Sequence, residues 1–153
     1  MLSHNDVRIL IVDDYPPSRE HLRACLAQLG FHHVRQASSG IEALRLLRWP
    51  GNFDLVISDD EMSPLTGLDL LDCMQSDASL RNIPLVMMSA ESGKIDVGAA
   101  IGGGACAYLV KPFSIEALAA VVAKGSAAGP FRRTPHVAAA GRCCACPPSQ
   151  PNG

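Results

Sequence analysis

The stretch "RILIVDD", residues 8–14, decides how the rest of the chain is interpreted. The four residues from Ile9 to Val12 form a continuous apolar run in which three are β-branched, which is typical of a strand buried on both faces of a parallel sheet. Asp13 and Asp14 follow directly. Because neighbouring like charges repel and an unpaired buried carboxylate is costly, we expect a positive group to lie beside this pair.

Similar apolar runs recur along the chain and alternate with helical patterns. The first helical pattern has Leu22, Cys25, Leu26 and Leu29 on one face and stops at Gly30, a residue that favours helix C-termini. Strict alternation of strands and helices predicts an α/β fold, a doubly wound parallel sheet of five strands with five helices, as in flavodoxin. The predicted strands are 8–12, 34–37, 54–58, 85–88 and 107–110, and the predicted helices are 17–29, 40–48, 67–75, 92–101 and one that starts after the N-cap Ser114.

The composition divides the chain into two parts. Residues 1–124 contain 10 lysines and arginines against 15 acids, whereas residues 125–153 contain three arginines and no acid and are rich in Gly, Ala and Pro. Such a segment buries too little apolar surface to offset its ordering entropy. We therefore predict a folded domain over 1–124, a flexible tail over 125–153 and no second folded domain. Cys143, Cys144 and Cys146 in the tail are read either as a soft-metal or redox site or as part of an unstructured segment.

Several classes of protein are disfavoured by what the chain lacks. Its apolar runs are far shorter than the ~20 residues of a membrane span, and the N-terminus has no secretory signal. A cytoplasmic protein without a membrane segment is expected. In that compartment Cys25, Cys73 and Cys106 are read as reduced core residues. The net charge of −2 is no argument for nucleic-acid binding.

Polar side chains follow four of the predicted strands where each strand ends. Asp13 and Asp14 follow the first strand, Asp59 the third, Ser89 the fourth and Lys111 the fifth. Ligands of open α/β sheets bind beyond the carboxyl ends of the strands, so these groups are expected to meet there. Clustered carboxylates suit Mg²⁺, and the metal together with the lysine ammonium would supply the missing positive charge.

Five motifs in this order and spacing resemble the receiver domain of two-component response regulators, the CheY-like family. They are the acidic pair after the first strand, "DLVISD" at 54–59, Gly67 at the start of the third helix, "PLVMMSA" at 84–90 and "AYLVKPF" at 107–113. The resemblance extends over about residues 7–123. It implies a phosphoacceptor protein, not a dedicated enzyme, that can also take phosphoryl groups from small donors.

The resemblance also implies roles for particular residues. Asp59 would accept a phosphoryl group from a sensor histidine kinase or a histidine phosphotransfer protein. Mg²⁺ would be organised by Asp13, Asp14, Asp59 and the backbone carbonyl of Glu61. Asp60, next to the phosphoacceptor, is read as a solvated neighbour and not as a ligand.

Three more residues receive roles from the resemblance. Ser89 would bind a phosphoryl oxygen, Lys111 would pair with the phosphoryl charge, and Tyr108 would change rotamer when the protein switches. The peptide bond between Lys111 and Pro112 is cis in the family. Taken singly, each residue also has a structural explanation, Ser89 as a strand-end hydroxyl and Tyr108 as an ordinary strand aromatic.

The loop after the third strand departs from the family pattern. Ser63 stands where the family usually has proline, with Pro64 one position later, and the Glu61 side chain can approach the phosphoryl group. Two functions stay open. The first is a stand-alone, phosphorylation-switched signalling protein that binds an unknown protein target. The alternative is a phosphorylation-independent pseudo-receiver that acts as an interaction module.

Overall fold

The computed structural model describes residues 6–49, 52–90 and 104–127. Within these ranges five strands form one parallel sheet in the order β2-β1-β3-β4-β5. In the described residues a helix follows β1, β2, β3 and β5, and these helices cover both faces of the sheet, which confirms the predicted fold class. The elements are β1 (Arg8–Val12), α1 (Pro16–Gln28), β2 (His33–Ala37), α2 (Gly40–Arg48), β3 (Leu55–Asp59), α3 (Gly67–Ser76), β4 (Leu85–Ser89), β5 (Ala107–Val110) and α4 (Ile115–Ala127).

The predicted elements that fall within these ranges are present, with ends that move by one residue or not at all. β1, β5 and α2 have the predicted bounds, whereas β3 is shifted one residue toward the C-terminus and ends on Asp59. The predicted fourth helix, 92–101, lies outside the described residues. α4 corresponds to the predicted fifth helix and continues to Ala127, three residues beyond the predicted domain end at 124. The tail from 128 onward also lies outside the described residues.

Two apolar layers, one on each face of the sheet, hold the helices in place. Residues two apart along a strand share a face, so each strand contributes alternately to the two layers. One layer joins Ile9, Ile11 and Ile57 to α1 and α4, and the other joins Leu10 and Val56 to α2 and α3. Because β1, β3 and β4 are buried from both sides, only residues at the ends of these strands can present polar side chains to solvent or to a ligand.

Local sequence signals determine where the helices begin. Ser39 caps α2 by accepting a hydrogen bond from the Glu42 amide, and Thr66 caps α3 through a reciprocal capping box with Asp69. At α4 the Ser114 hydroxyl accepts a hydrogen bond from the Ala117 amide, as expected of the predicted N-cap. None of the described helices is long and apolar enough to span a bilayer.

The cysteines of the domain are not all in the expected state. Cys25 and Cys106 are thiols, as predicted, but Cys73 is disulfide-bonded, so the prediction of a reduced thiol is wrong at that position. Pairing depends on which cysteines the folded chain brings together, and spacing along the sequence does not reveal it.

Candidate functional site

Three carboxylates meet at the carboxyl edge of the sheet. Asp13 and Asp14 follow β1, and Asp59 is the last residue of β3. Each offers an oxygen that lies within 4.8 Å of the oxygens from the other two. Asp13 and Asp59 are buried, whereas Asp14 is exposed, so the cluster is open to solvent on one side. The structure thus brings together the acids that the sequence placed at two strand ends.

Strand alternation explains why these groups point the same way. Asp59 continues the series of Leu55 and Ile57 along β3, and Lys111 continues the series of Ala107 and Leu109 along β5. Asp13 likewise lies two residues beyond Ile11 of β1. All three therefore belong to the face of the sheet that packs against α1 and α4, and they lie just beyond its apolar layer.

Lys111 is the positive group that the acidic pair requires. Its Nζ lies 3.2 Å from Asp13 Oδ2 and 3.1 Å from Asp59 Oδ1. The same ammonium donates a hydrogen bond of 3.2 Å to the hydroxyl of Ser18 in the first turn of α1. One cation thus bridges the ends of β1 and β3, which lie 98 and 52 residues away from it in the sequence respectively.

Burial and neighbouring charges together shift the pKa values of Asp59 and Lys111. Burial raises the pKa of Asp59 to about 6, and Asp13 adds to the shift, although Lys111 acts in the opposite direction. Burial alone would lower the pKa of Lys111, but the charges of Asp59 and Asp13 outweigh it and raise that pKa. Lys111 therefore stays protonated, and Asp59 is ionised above about pH 6.

The donor set fits a hard divalent cation. Three carboxylates supply only oxygen ligands, and the exposed position of Asp14 leaves room for water, which Mg²⁺ tends to retain. Glu61 lies two residues beyond Asp59 with an exposed side chain, and the role of its backbone carbonyl stays a prediction.

Asp60 is only 8% exposed, so the expectation of a solvated side chain is wrong. Its backbone is held between Met88 of β4 and Gly67 at the start of α3.

Gly67 allows α3 to begin directly against the end of β3. Its amide donates a 3.0 Å hydrogen bond to the Asp60 carbonyl. A Cβ atom at this position would collide with the Asp59 carbonyl oxygen and would lie 2.7 Å from Met87 Sδ. The glycine therefore determines how closely the backbone of α3 can approach Asp59, the candidate phosphoacceptor.

Two peptide bonds in the described residues are cis. They are Ser63–Pro64 and Lys111–Pro112, and the second is cis as the resemblance implied.

Ser89 and Tyr108 lie on the opposite face from Asp59 and Lys111. Tyr108 of β5 pairs with Met87 of β4, so their side chains share a face of the sheet. Ser89 is two residues beyond Met87 and therefore belongs to the same face, which packs against α3. Ser89 is fully buried. Tyr108 is half-buried, and its hydroxyl is shielded from solvent with no hydrogen-bond partner in the part of the chain that the structure describes.

The sequence did not identify two neighbours of the acidic cluster. Ser18 contacts Lys111, and Arg19 donates a 2.7 Å hydrogen bond to the backbone carbonyl of Asp13. Both residues lie in the first turn of α1. The available signal was their position, because the helix that follows a strand of such a sheet starts beside the ligand-binding edge.

The parallel 2-1-3-4-5 sheet, with three carboxylates and a lysine at its carboxyl edge, defines the architecture of a receiver domain. The sequence matches the family described as the response regulator receiver domain over residues 9–123. The chain belongs to this family. Receiver domains are the phosphoacceptors of two-component signalling, where they interact with histidine kinases and downstream targets and bind Mg²⁺ at an acidic pocket.

Individual relatives agree with this assignment. The chemotaxis protein CheY of Pseudomonas aeruginosa is 37% identical over 112 residues, which are 73% of this chain and 90% of that protein. The signal receiver domain of a signal transduction histidine kinase from Syntrophus aciditrophicus is 31% identical, with a TM-score of 0.71 over 84% of this chain and 94% of the other. The chemotaxis response regulator CheY4 of Vibrio cholerae is 28% identical, with a TM-score of 0.69 over 77% of this chain and 97% of the other.

Proposed function

We propose that this protein is a response regulator whose Asp59 accepts a phosphoryl group from a sensor histidine kinase or a histidine phosphotransfer protein. The observation that supports this most strongly is the bridging position of Lys111, 3.1 Å from Asp59 and 3.2 Å from Asp13, beside a third carboxylate. We place its action in the cytoplasm.

The chemistry requires a nucleophile and compensation for charge. An ionised oxygen of Asp59 attacks the phosphorus atom, and the bond from phosphorus to the donor imidazole nitrogen breaks, with its electron pair leaving on that nitrogen. The products are an aspartyl phosphate and the imidazole of the donor, whose nitrogen takes up a proton in place of the phosphoryl group. The Lys111 ammonium, already within 3.1 Å of an Asp59 oxygen, balances part of the negative charge on the transferred group.

Asp13, Asp14 and Asp59 would hold the magnesium ion, together with the Glu61 carbonyl. Bound there, Mg²⁺ would neutralise phosphoryl oxygens and align the donor. Without it, three carboxylates and one ammonium leave an excess of negative charge that repels an incoming phosphate. A dependence of phosphorylation on Mg²⁺ follows from this charge balance.

The signal would leave through the Ser89 and Tyr108 face. Strand alternation assigns the Ser89 side chain to the opposite face from Asp59, so we expect its hydroxyl to reach a phosphoryl oxygen on Asp59 only if the end of β4 moves toward that residue. The shielded Tyr108 hydroxyl has no hydrogen-bond partner among the described residues, and an unsatisfied buried hydroxyl costs about 1–3 kcal/mol, so a rearrangement that gives it a partner would be favourable. The output is binding of a protein target at this face, with no direct contact to nucleic acid or membrane.

The test is phosphorylation by acetyl phosphate followed by intact-mass measurement. The wild-type protein with Mg²⁺ is expected to gain one phosphoryl group, and Asp59→Asn is expected to gain none. Asp60→Asn is the matched control, because it removes the neighbouring buried carboxylate and should still be labelled. A wild-type protein that gains no Mg²⁺-dependent adduct would favour the phosphorylation-independent pseudo-receiver.

A further inference from the structure

Arg19 forms a bridge between the end of β1 and the end of β2. Its Nη1 donates a 2.7 Å hydrogen bond to the backbone carbonyl of Asp13, and its Nε donates one of 3.1 Å to Oε1 of Gln36. Gln36 in turn donates from Nε2 to Glu20, at 3.0 Å. The two bonds of one rigid guanidinium thus fix the Asp13 carbonyl relative to the neighbouring strand.

Asp14 depends on this bridge more than the other two acids do. Asp13 is held by Lys111 through Oδ2 and by the Tyr15 amide through Oδ1, and Asp59 is held by Lys111. The exposed side chain of Asp14 has no hydrogen bond or ion pair with any residue that the structure describes. Its direction is therefore set by the peptide group that joins it to Asp13, and the oxygen of that group is the one bound by Arg19.

We infer that Arg19 is a positioning residue for the metal site, which holds the peptide between Asp13 and Asp14 so that the Asp14 carboxylate faces the other two. The inference rests on the proposed function, because it concerns the site assigned to Mg²⁺. Groups that orient metal ligands without touching the metal typically change metal affinity by a factor of 10–100 when they are removed.

Positioning and simple electrostatics predict opposite results for the removal of Arg19. Loss of a nearby positive charge should tighten the binding of a cation, whereas loss of a positioning contact should weaken it. Arg23→Ala provides the matched control. Arg23 lies one turn later on α1, and its salt bridge to Glu20 is exposed, so its removal changes the charge of the helix without touching the Asp13 carbonyl.

The experiment is a calorimetric titration of the metal-free protein with Mg²⁺. Arg19→Ala is expected to raise the dissociation constant about tenfold, at the lower end of the usual range because the contact is to the backbone and only partly buried. Arg23→Ala is expected to bind Mg²⁺ about as tightly as the wild type. Gln36→Ala keeps the arginine but removes one of its two anchors, so a smaller loss of affinity is expected.

The outcomes separate this inference from the proposed function. Suppose that the wild type binds Mg²⁺ and is phosphorylated, but that Arg19→Ala binds Mg²⁺ at least as tightly as Arg23→Ala. The positioning role of Arg19 is then overturned, and the proposed function stands. If the wild type does not bind Mg²⁺, both are overturned. Melting of the metal-free variants checks folding. Should Arg19→Ala not fold, Gln36→Ala decides, and an unchanged affinity in that variant counts against the bridge.

Discussion

Replacing Asp59 with asparagine is expected to stabilise the metal-free protein at neutral pH. The side chain is 10% exposed, and burial, with a contribution from Asp13, makes its ionised form unfavourable although Lys111 lies 3.1 Å away. Asparagine has nearly the same shape and no charge, so it removes this cost. The ionised nucleophile at neutral pH therefore lowers the stability of the metal-free protein.

The sign and size of the effect follow from the pKa of Asp59, which folding raises from 3.8 to about 6. The folded state holds this proton more tightly than the unfolded state, so the free energy of unfolding falls as the pH rises from about 4 to 6 and stays reduced above that. The shift corresponds to about 3 kcal/mol at pH 7.5. We expect Asp59→Asn to raise the free energy of unfolding by about 1–3 kcal/mol. The gain can be smaller than the full cost, because Lys111 loses one of its two anionic partners in the variant.

Urea unfolding in the presence of a chelator, at pH 7.5 and at pH 4, measures this difference. Asp59→Asn should be the more stable protein at pH 7.5, and the gap should shrink to less than about 1 kcal/mol at pH 4, where wild-type Asp59 is protonated in the native state. Asp72→Asn, at an exposed position on α3, is the control and should change stability by less than about 0.5 kcal/mol. A less stable Asp59→Asn at pH 7.5, or a gap independent of pH, would refute the reasoning.

Three further predictions concern other parts of the molecule. Gly67→Ala should lower the free energy of unfolding by about 1–3 kcal/mol in urea melts and slow labelling by acetyl phosphate, because its Cβ collides with the backbone that holds Asp59; unchanged stability would contradict the close contact. Ser89→Ala should still be phosphorylated but should show a smaller phosphorylation-dependent change in amide exchange along β5, and an exchange response equal to the wild type would exclude Ser89 from the switch. Deleting residues 128–153 should leave the thermal melting midpoint unchanged in the presence of reductant, whereas an earlier melt would mean that the tail docks on the domain.

Much of the fold and the site could be read from local signals. A continuous apolar run such as Ile9 to Val12 predicts a strand buried on both faces, and strict alternation with helices predicts a parallel sheet. In such a sheet all strands end at one edge, so Asp13, Asp59 and Lys111 could be assigned to one site although they are far apart in the sequence. The motifs around them were enough to identify the family.

Only the tertiary structure decided the contacts that depend on how the elements pack. The burial of Asp60 and the disulfide bonding of Cys73 have no signature in residue type or spacing. The sequence marks Gly67 and the first turn of α1 by position only, and it does not reveal the close approach of Gly67 to β3 or the bridge from Arg19 to the Asp13 carbonyl. The perturbed pKa of Asp59 belongs to the same group, since it depends on desolvation and on charges from other strands. Local sequence determines which element forms and where it ends, whereas distances of a few ångströms between elements depend on the packing of the whole core.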